Sequence, residues 1–269
     1  MEAPEDDFTD ILRKAMIGHG ISSQELTQKT KTDLAAFDRF QKGQFDKTVA
    51  RNFAAALGLD PNAYASIESY RPDAKLPSEI HRLQLPFGNA HVNAWMLELE
   101  NQLILFDAGY QAEHLLADID HRFGRLPDRV FITHAHRDHI GGVASLLQHG
   151  IPIHAQGIGN TTPMKPGDSL RIGAITVSAC DLAGHAIPAL GYRIDGLACP
   201  VMITGDALFA GSIGGCATPE AYRMSLRNIR RAFENLPPSC LILPGHGPMS
   251  TWGAESKHNP LVANKGAAR

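Results

Sequence analysis

The sequence predicts an α/β domain preceded by a small all-helical domain, and three observations carry that reading. Residues 8–69 place apolar side chains at helical spacing with no strand alternation. After about residue 79 the texture changes to short apolar runs alternating with loops and helices, punctuated by glycine and proline. Between the two lies "YRPDAKLPSE", whose two prolines and several charges read as a linker. The expected boundaries are 1–70 for the helical region, 71–78 for the linker and 79–269 for the α/β domain.

Taken in order, Leu12, Met16 and Ile17 are expected to line one face of a first helix. Ser22 or Ser23 caps a second helix around Leu26, and Asp33 caps a third that carries Leu34, Phe37 and Phe40. A short oxygen-bearing side chain does this by satisfying free N–H groups at a helix start. Gly43 reads as a stop signal, "KTVARNFAAALGLD" as a fourth amphipathic helix ending near Gly58, and "PNAYASIES" as a short fifth. In the second region "HVNAWMLEL", "QLILFDAG", "RVFIT", "ITVSAC", "PVMITGD" and "CLILPGH" are the strand-like runs, and "IGGVASLLQHG" continues as a helix.

The composition is that of an ordinary globular protein, 43% hydrophobic and 20% charged, and 269 residues suffice for a sizeable core. A net charge of −3 gives no general attraction for nucleic acid or an anionic membrane. The opening "MEAPEDDFTD" lacks the basic-then-apolar layout of a secretory signal. No apolar run approaches the roughly 20 residues that span a bilayer. Cys180, Cys199, Cys216 and Cys240 are widely spaced, and three of them border or sit in apolar runs, which suits thiols better than disulfides. A cytoplasmic location with no membrane partner is the expectation.

Four strand-like runs end in a metal-capable group. "RVFIT" runs into His134, His136, Asp138 and His139; "ITVSACDLAG" into His185; "PVMITG" into Asp206; "CLILPG" into His246. In α/β folds ligands gather outside the carboxyl ends of strands, so these side chains can converge. On extended backbone His134 and His136 point to one side and can share an ion, while Asp138 and His139 in the following turn can serve a second. Imidazole and carboxylate donors suit zinc, iron or manganese, and seven are too many for one catalytic ion. The expectation is therefore two divalent ions, zinc first, bridged by a carboxylate and a shared hydroxide. Metal binding brings the pKa of water from 15.7 toward about 7.

The segments "LPFGNAHVNAWMLE", "LILFDAGY", "THAHRDHIGG", "LAGHAIP", "TGDALFAGSIG", "LPGHGP" and "ESKHNPLV" together resemble the metallo-β-lactamase superfamily, closest to its glyoxalase II-like hydrolases, over about residues 79–260. The resemblance implies an αβ/βα sandwich with a dinuclear site at one edge of two facing sheets. It implies that His134, His136 and His185 hold one metal, that Asp138, His139 and His246 hold the other, and that Asp206 bridges them. Asp107 in "FDAG" matches an aspartate that supports such sites from behind the ligands, and Asp138 is placed to accept a proton beside the hydroxide. The implied activity is attack on an ester, thioester or lactone carbonyl of a small-molecule substrate.

Other branches fit less well. Common β-lactamases lack a histidine at position 139 and carry cysteine at position 206. Only 23 residues follow His246, so the helical thiol-binding domain of glyoxalase II proper is expected to be missing. Tyr192 reads as a core or surface tyrosine, with substrate contact as the alternative. Iron-dependent persulfide dioxygenases keep the same seven residues with one iron and stay open as an alternative.

The N-terminal region, "LRKAMIGHGISSQELTQKTKTDLAAFDRFQKGQF" followed by "VARNFAAALGLD", resembles a helix-turn-helix domain of the phage-repressor type. Lys31 and Thr32 replace its usual small and apolar turn residues. Base-reading positions at the start of the third helix hold Leu34, Ala35 and Ala36, which offer no hydrogen bonds to base edges. Residues 1–75 hold 10 basic and 12 acidic side chains, a net −2. Nucleic acid is therefore not the expected partner; a regulator with a metal-binding sensor domain is the alternative. The helices are expected to pack structurally, with a homodimer contact or a cover over the active-site mouth as the alternatives.

Overall fold

A computed structural model describes residues 2–263, so the outermost positions of the two expected regions, 1 and 264–269, lie outside the described residues. Five helices open the chain: α1 (Phe8–His19), α2 (Ser23–Thr30), α3 (Leu34–Gln41), α4 (Lys47–Ala56) and α5 (Pro61–Ala65). Each starts on an oxygen-bearing cap, namely Asp7, Ser22, Asp33, Asp46 and Asp60. At Asp7 and Ser22 an acidic residue three positions on, Asp10 or Glu25, bonds back to complete a capping box. The buried face of α1 differs from the expected one. It is Phe8, Ile11, Leu12 and Ala15, while Ile17 is 42% exposed. A helix turns 3.6 residues at a time, so the stripe 8, 11, 12, 15 is continuous and position 17 falls outside it.

The first sheet has the order β1 (Ile80–Phe87), β2 (Ala90–Leu99), β3 (Gln102–Phe106), β4 (Arg129–Phe131), β5 (Ile153–Ala155) and β6 (Thr162–Pro163). Its first three strands pair antiparallel and the rest parallel. The crossover from β3 to β4 is α6 (Ala112–Phe123), and α7 (Arg137–Ile140) with α8 (Val143–Gln148) connects β4 to β5. The second sheet holds β7 (Ser169–Ile172), β8 (Ile175–Asp181), β9 (Leu190–Asp195) and β10 (Val201–Gly205). After the small hairpin β11 (Leu208–Phe209) and β12 (Ser212–Ile213) comes α9 (Pro219–Phe233), then β13 (Leu241–Pro244), β14 (Ser250–Thr251) and α10 (Trp252–His258). Its spatial order is β14-β13-β10-β9-β8-β7.

Strand periodicity of two explains the layering. On β2, Trp95 and Leu97 face the second sheet, whereas Val92, Ala94 and Met96 pack with Leu115 and Ile119 of α6 and Leu146 of α8. On the second sheet, Tyr192, Ile203 and Leu243 face inward. Met202 and Ile242 face outward into a core shared with α9 and with Phe37, Phe40, Phe53 and Tyr64 of the N-terminal helices. The architecture is an αβ/βα sandwich with the helical region built onto its second-sheet flank. No helix among the described residues is long and apolar enough to cross a membrane. All four cysteines are free thiols.

Candidate metal centre

The carboxyl ends of β3, β4, β8, β10 and β13 meet at one edge of the sandwich, which is why residues far apart in sequence converge there. Two donor sets result. His134, His136, His185 and Asp206 form one; Asp138, His139, His246 and Asp206 form the other; within each, the ligand atoms lie within 4.8 Å of one another. In the first set His185 Nε2 is 3.1 Å from His136 Nδ1 and 3.5 Å from Asp206 Oδ2, and His134 Nε2 is 3.9 Å from that oxygen. In the second, His139 Nε2 is 3.2 Å from Asp206 Oδ1 and 3.6 Å from Asp138 Oδ2, and His246 Nε2 is 3.1 Å from Asp138 Oδ2. Donors about 2 Å from a tetrahedral ion stand roughly 3.3 Å apart, so these edges suit zinc-like coordination.

Burial supports the fit. His134 Nε2, His139 Nε2 and Asp206 Oδ1 are buried with no hydrogen-bond partner among the described residues. Such atoms are costly unless something binds them. Gly245 leaves the room: a Cβ there would stand 2.2 Å from Asp206 Oδ1 and 2.6 Å from His139 Cε1. Gly205, at φ +49°, bends the chain into Asp206 and lies against Thr133, where a Cβ would come within 2.5 Å of the hydroxyl.

The rings are held from behind. Nδ1 of His139 donates to Asp107 Oδ2 at 2.8 Å, Nδ1 of His185 to the Gly215 carbonyl at 2.7 Å, and Nδ1 of His246 to the His91 carbonyl at 2.9 Å. With Nδ1 occupied, each Nε2 lone pair turns toward the centre. Asp107 is buried at φ +61° and also accepts from the Thr133 N–H at 2.8 Å and from its hydroxyl. That hydroxyl lies 3.0 Å from His134 Nδ1, so Asp107 reaches both donor sets.

The electrostatics of the protein groups alone are strongly coupled. Burial drives His134 down to about 2, with the neighbouring His139 adding to the effect, so its imidazole is neutral. Burial works against a charged His139, but Asp206 and Asp107 outweigh it and raise its value well above 6.5. Burial likewise opposes ionisation of Asp206, yet His139, His246 and His134 hold it far below the usual carboxylate range.

All seven proposed ligands and Asp107 are thus placed at one edge. Tyr192 is not; it is buried between the sheets and its hydroxyl donates to the Ile132 carbonyl at 2.7 Å. The expected readings did not include Thr133, although it stands directly before His134 in "FITHAH". The carbonyls of Gly215 and His91 leave no trace in side-chain chemistry and could not be read from sequence.

Residues 88–171 match the family model described as "Metallo-beta-lactamase superfamily". A hydroxyacylglutathione hydrolase from Salmonella dublin is 31% identical over 155 residues, 55% of this chain and 58% of that protein, so the chain spans under two thirds of the relative's length. The solved structure of BLEG-1 B3 metallo-beta-lactamase superposes with a TM-score of 0.57 at 27% identity, covering 68% of this chain and all of the other. The protein TTHA1623, solved in a di-iron-bound form, gives a TM-score of 0.56 at 25% identity over 66% of this chain and 98% of that one.

Proposed function

We propose that this chain, whose fold is that of the metallo-β-lactamase superfamily, is a dinuclear metal-dependent hydrolase of a small ester, thioester or lactone, with a glyoxalase II-like site. One observation carries the reading: two donor sets share Asp206, and buried donor atoms on His134, His139 and Asp206 have no hydrogen-bond partner among the described residues. Two divalent ions, zinc first and iron or manganese otherwise, would supply charge to polarise a carbonyl and to bring the pKa of water toward about 7. His134, His136 and His185 would hold one ion and Asp138, His139 and His246 the other, with Asp206 between them. Asp107 keeps His139 in the tautomer that presents Nε2, as Gly215 and His91 do for His185 and His246 through their carbonyls. The Asp138 carboxylate takes up the proton released as water adds to the carbonyl. The hydrolase name of the Salmonella relative supports the reaction class, and the di-iron neighbour supports two ions and admits iron.

The start of α3 presents Leu34, with no base-reading side chain, so nucleic acid stays outside the proposal. The test is elemental analysis of protein purified without added metal, followed by a thioester, ester and lactone panel. About two ions per chain and turnover abolished by a chelator or by Asp206→Ala are expected. A single iron per chain, with oxygen consumed on persulfides and no hydrolysis, would overturn the reading in favour of a dioxygenase.

A further inference from the structure

The Gly215 carbonyl, which orients His185 at 2.7 Å, stands at the end of a weakly built piece of chain. The hairpin β11–β12 pairs only Leu208 with Ile213 and Phe209 with Ser212, and two glycines follow it directly. So short a hairpin does not hold its own shape, and glycine leaves the backbone its widest freedom. The same segment runs tight against the donors. A Cβ on Gly214 would stand 2.8 Å from the His185 ring and collide with the Asp206 carbonyl. Any shift of this segment therefore moves the acceptor on which the aim of His185 depends.

Lys14 of α1 grips the segment from the helical region. It is buried, and its ammonium donates to the Ile213 carbonyl at 2.8 Å, two residues before Gly215. Asp6 accepts a second N–H, and the Phe209 ring centroid lies 5.3 Å from the nitrogen. Lys14 Cε also lies 3.9 Å from where a Cβ on Gly215 would stand, so the side chain touches both strands of the hairpin and the glycine beyond it. Burying an ammonium costs free energy even when it is paired, and an apolar chain of the same length would fill the space without that cost. What the charge adds is direction, a strong hydrogen bond aimed at one carbonyl. Glu255 accepts from the Gly211 N–H at 2.8 Å and fixes the turn of the hairpin, which leaves the end leading into Gly215 to Lys14.

We infer that Lys14 is a positioning residue of the metal centre: by holding Ile213 it sets where the Gly215 carbonyl stands, and so where His185 aims Nε2. The helical region thereby contributes a side chain to the geometry of the site. The second donor set depends on Lys14 less. His246 is oriented by the His91 carbonyl on β2, and it meets this region only through Phe209, whose ring centroid is 6.0 Å from its own. The inference rests on the metal-binding part of the proposed function.

The test is zinc affinity, measured in the full chain by competition with a chelating dye, with the donor sets separated by ligand variants. His246→Ala leaves the His185 set complete, and His185→Ala leaves the His246 set complete. Adding Lys14→Met is expected to weaken zinc about three- to tenfold in the His246→Ala chain, at the lower end of what loss of a direct orienting partner produces. In the His185→Ala chain the same change should stay within about twofold. Asp6→Asn removes the ion pair but keeps the bond to Ile213, so it should lower Tm while the affinity of the His185 set stays within about twofold of its parent. Equal weakening in the two chains would make Lys14 a general stabiliser and overturn the assignment. So would no change in either, or a loss in Asp6→Asn at the His185 set as large as about tenfold. Two zinc ions in the unaltered chain with no effect of Lys14→Met would remove the role of Lys14 and leave the metal centre standing. An unaltered chain that takes up no zinc would overturn both together.

Discussion

Replacing Asp107 by asparagine changes one atom at a position where the atom count decides the outcome. The aspartate oxygens accept from three donors: the Thr133 N–H, the Thr133 hydroxyl and His139 Nδ1. Asparagine keeps the shape and tolerates the left-handed φ of +61°, so the backbone has no reason to move. It offers one acceptor oxygen where there were two. If that oxygen faces Thr133, the amide N–H₂ faces His139 Nδ1 and imposes the tautomer with hydrogen on Nε2, which cannot ligate. If it faces His139, two buried donors confront each other at Thr133, at a cost of about 1–3 kcal/mol. The first orientation keeps both Thr133 donors paired, and with it the second donor set should lose about ten- to a hundredfold in metal affinity, or about 1.4–2.8 kcal/mol. The first set should lose less, because it feels Asp107 only through the Thr133 hydroxyl at His134. Stepwise competition with a chelating dye, with circular dichroism to confirm folding, measures both. Unchanged affinity at both sets, or a loss confined to the His134 set, would refute the tautomer argument.

Three further outcomes follow from the same geometry. Gly245→Ala should fold but fail to take up a second ion, since its Cβ would stand 2.2 Å from Asp206 Oδ1; two ions retained in elemental analysis would contradict this. Glu255 is fully buried and accepts from the Tyr70 hydroxyl at 2.6 Å, the Gly211 N–H at 2.8 Å and Asn259 Nδ2 at 3.0 Å. Glu255→Ala should therefore cost roughly 3–5 kcal/mol in denaturant unfolding, and a loss below about 1 kcal/mol would show that the donors find other partners. The metal-free protein should be most stable near pH 6.5. Burial first, with neighbouring histidines, keeps His134 and His185 below that value, so stability rises with pH up to it. His139 and His246 are raised: burial opposes their charge, but Asp206 and Asp107 act on one and Asp138 and Asp206 on the other. Their contribution is complete below 6.5 and is lost as pH climbs through the raised values. Bound metal displaces those protons and should move the optimum upward, which Tm measured against pH with and without zinc will show.

What could be read from the sequence was what is local to a strand end. His134, His185, Asp206 and His246 each close an apolar run that folds as a strand, so the run announces the ligand and the α/β edge gathers the set. Helix caps were legible for the same reason: Ser22 and Asp33 act on N–H groups within three residues. The buried face of α1 was harder, because Leu12, Met16 and Ile17 are all apolar and only packing decides which of them turns inward. What escaped altogether is contributed by backbone from afar. The carbonyl that orients His185 is 30 residues away, and the one that orients His246 is 155 away. A carbonyl has no residue-type signature, so any sequence could supply it.

That division has a consequence for how this site tolerates change. In the proposed centre the seven donor side chains count by identity, so substitution at any of them would remove a proposed ligand outright. Their orientation is fixed by the fold, through Gly215 beyond the β11–β12 hairpin, His91 on β2 and Asp107 after β3. Glu255 ties that hairpin to Tyr70 at the end of the helical region, through Gly211 on one oxygen and the tyrosine hydroxyl on the other. The helical region is therefore tied to the candidate metal centre through this clamp on the hairpin. Loosening the clamp at Tyr70→Phe should leave all seven ligands in place and still weaken metal binding at the His185 set. If the two sets weaken equally, the effect is general destabilisation and the hairpin does not transmit it.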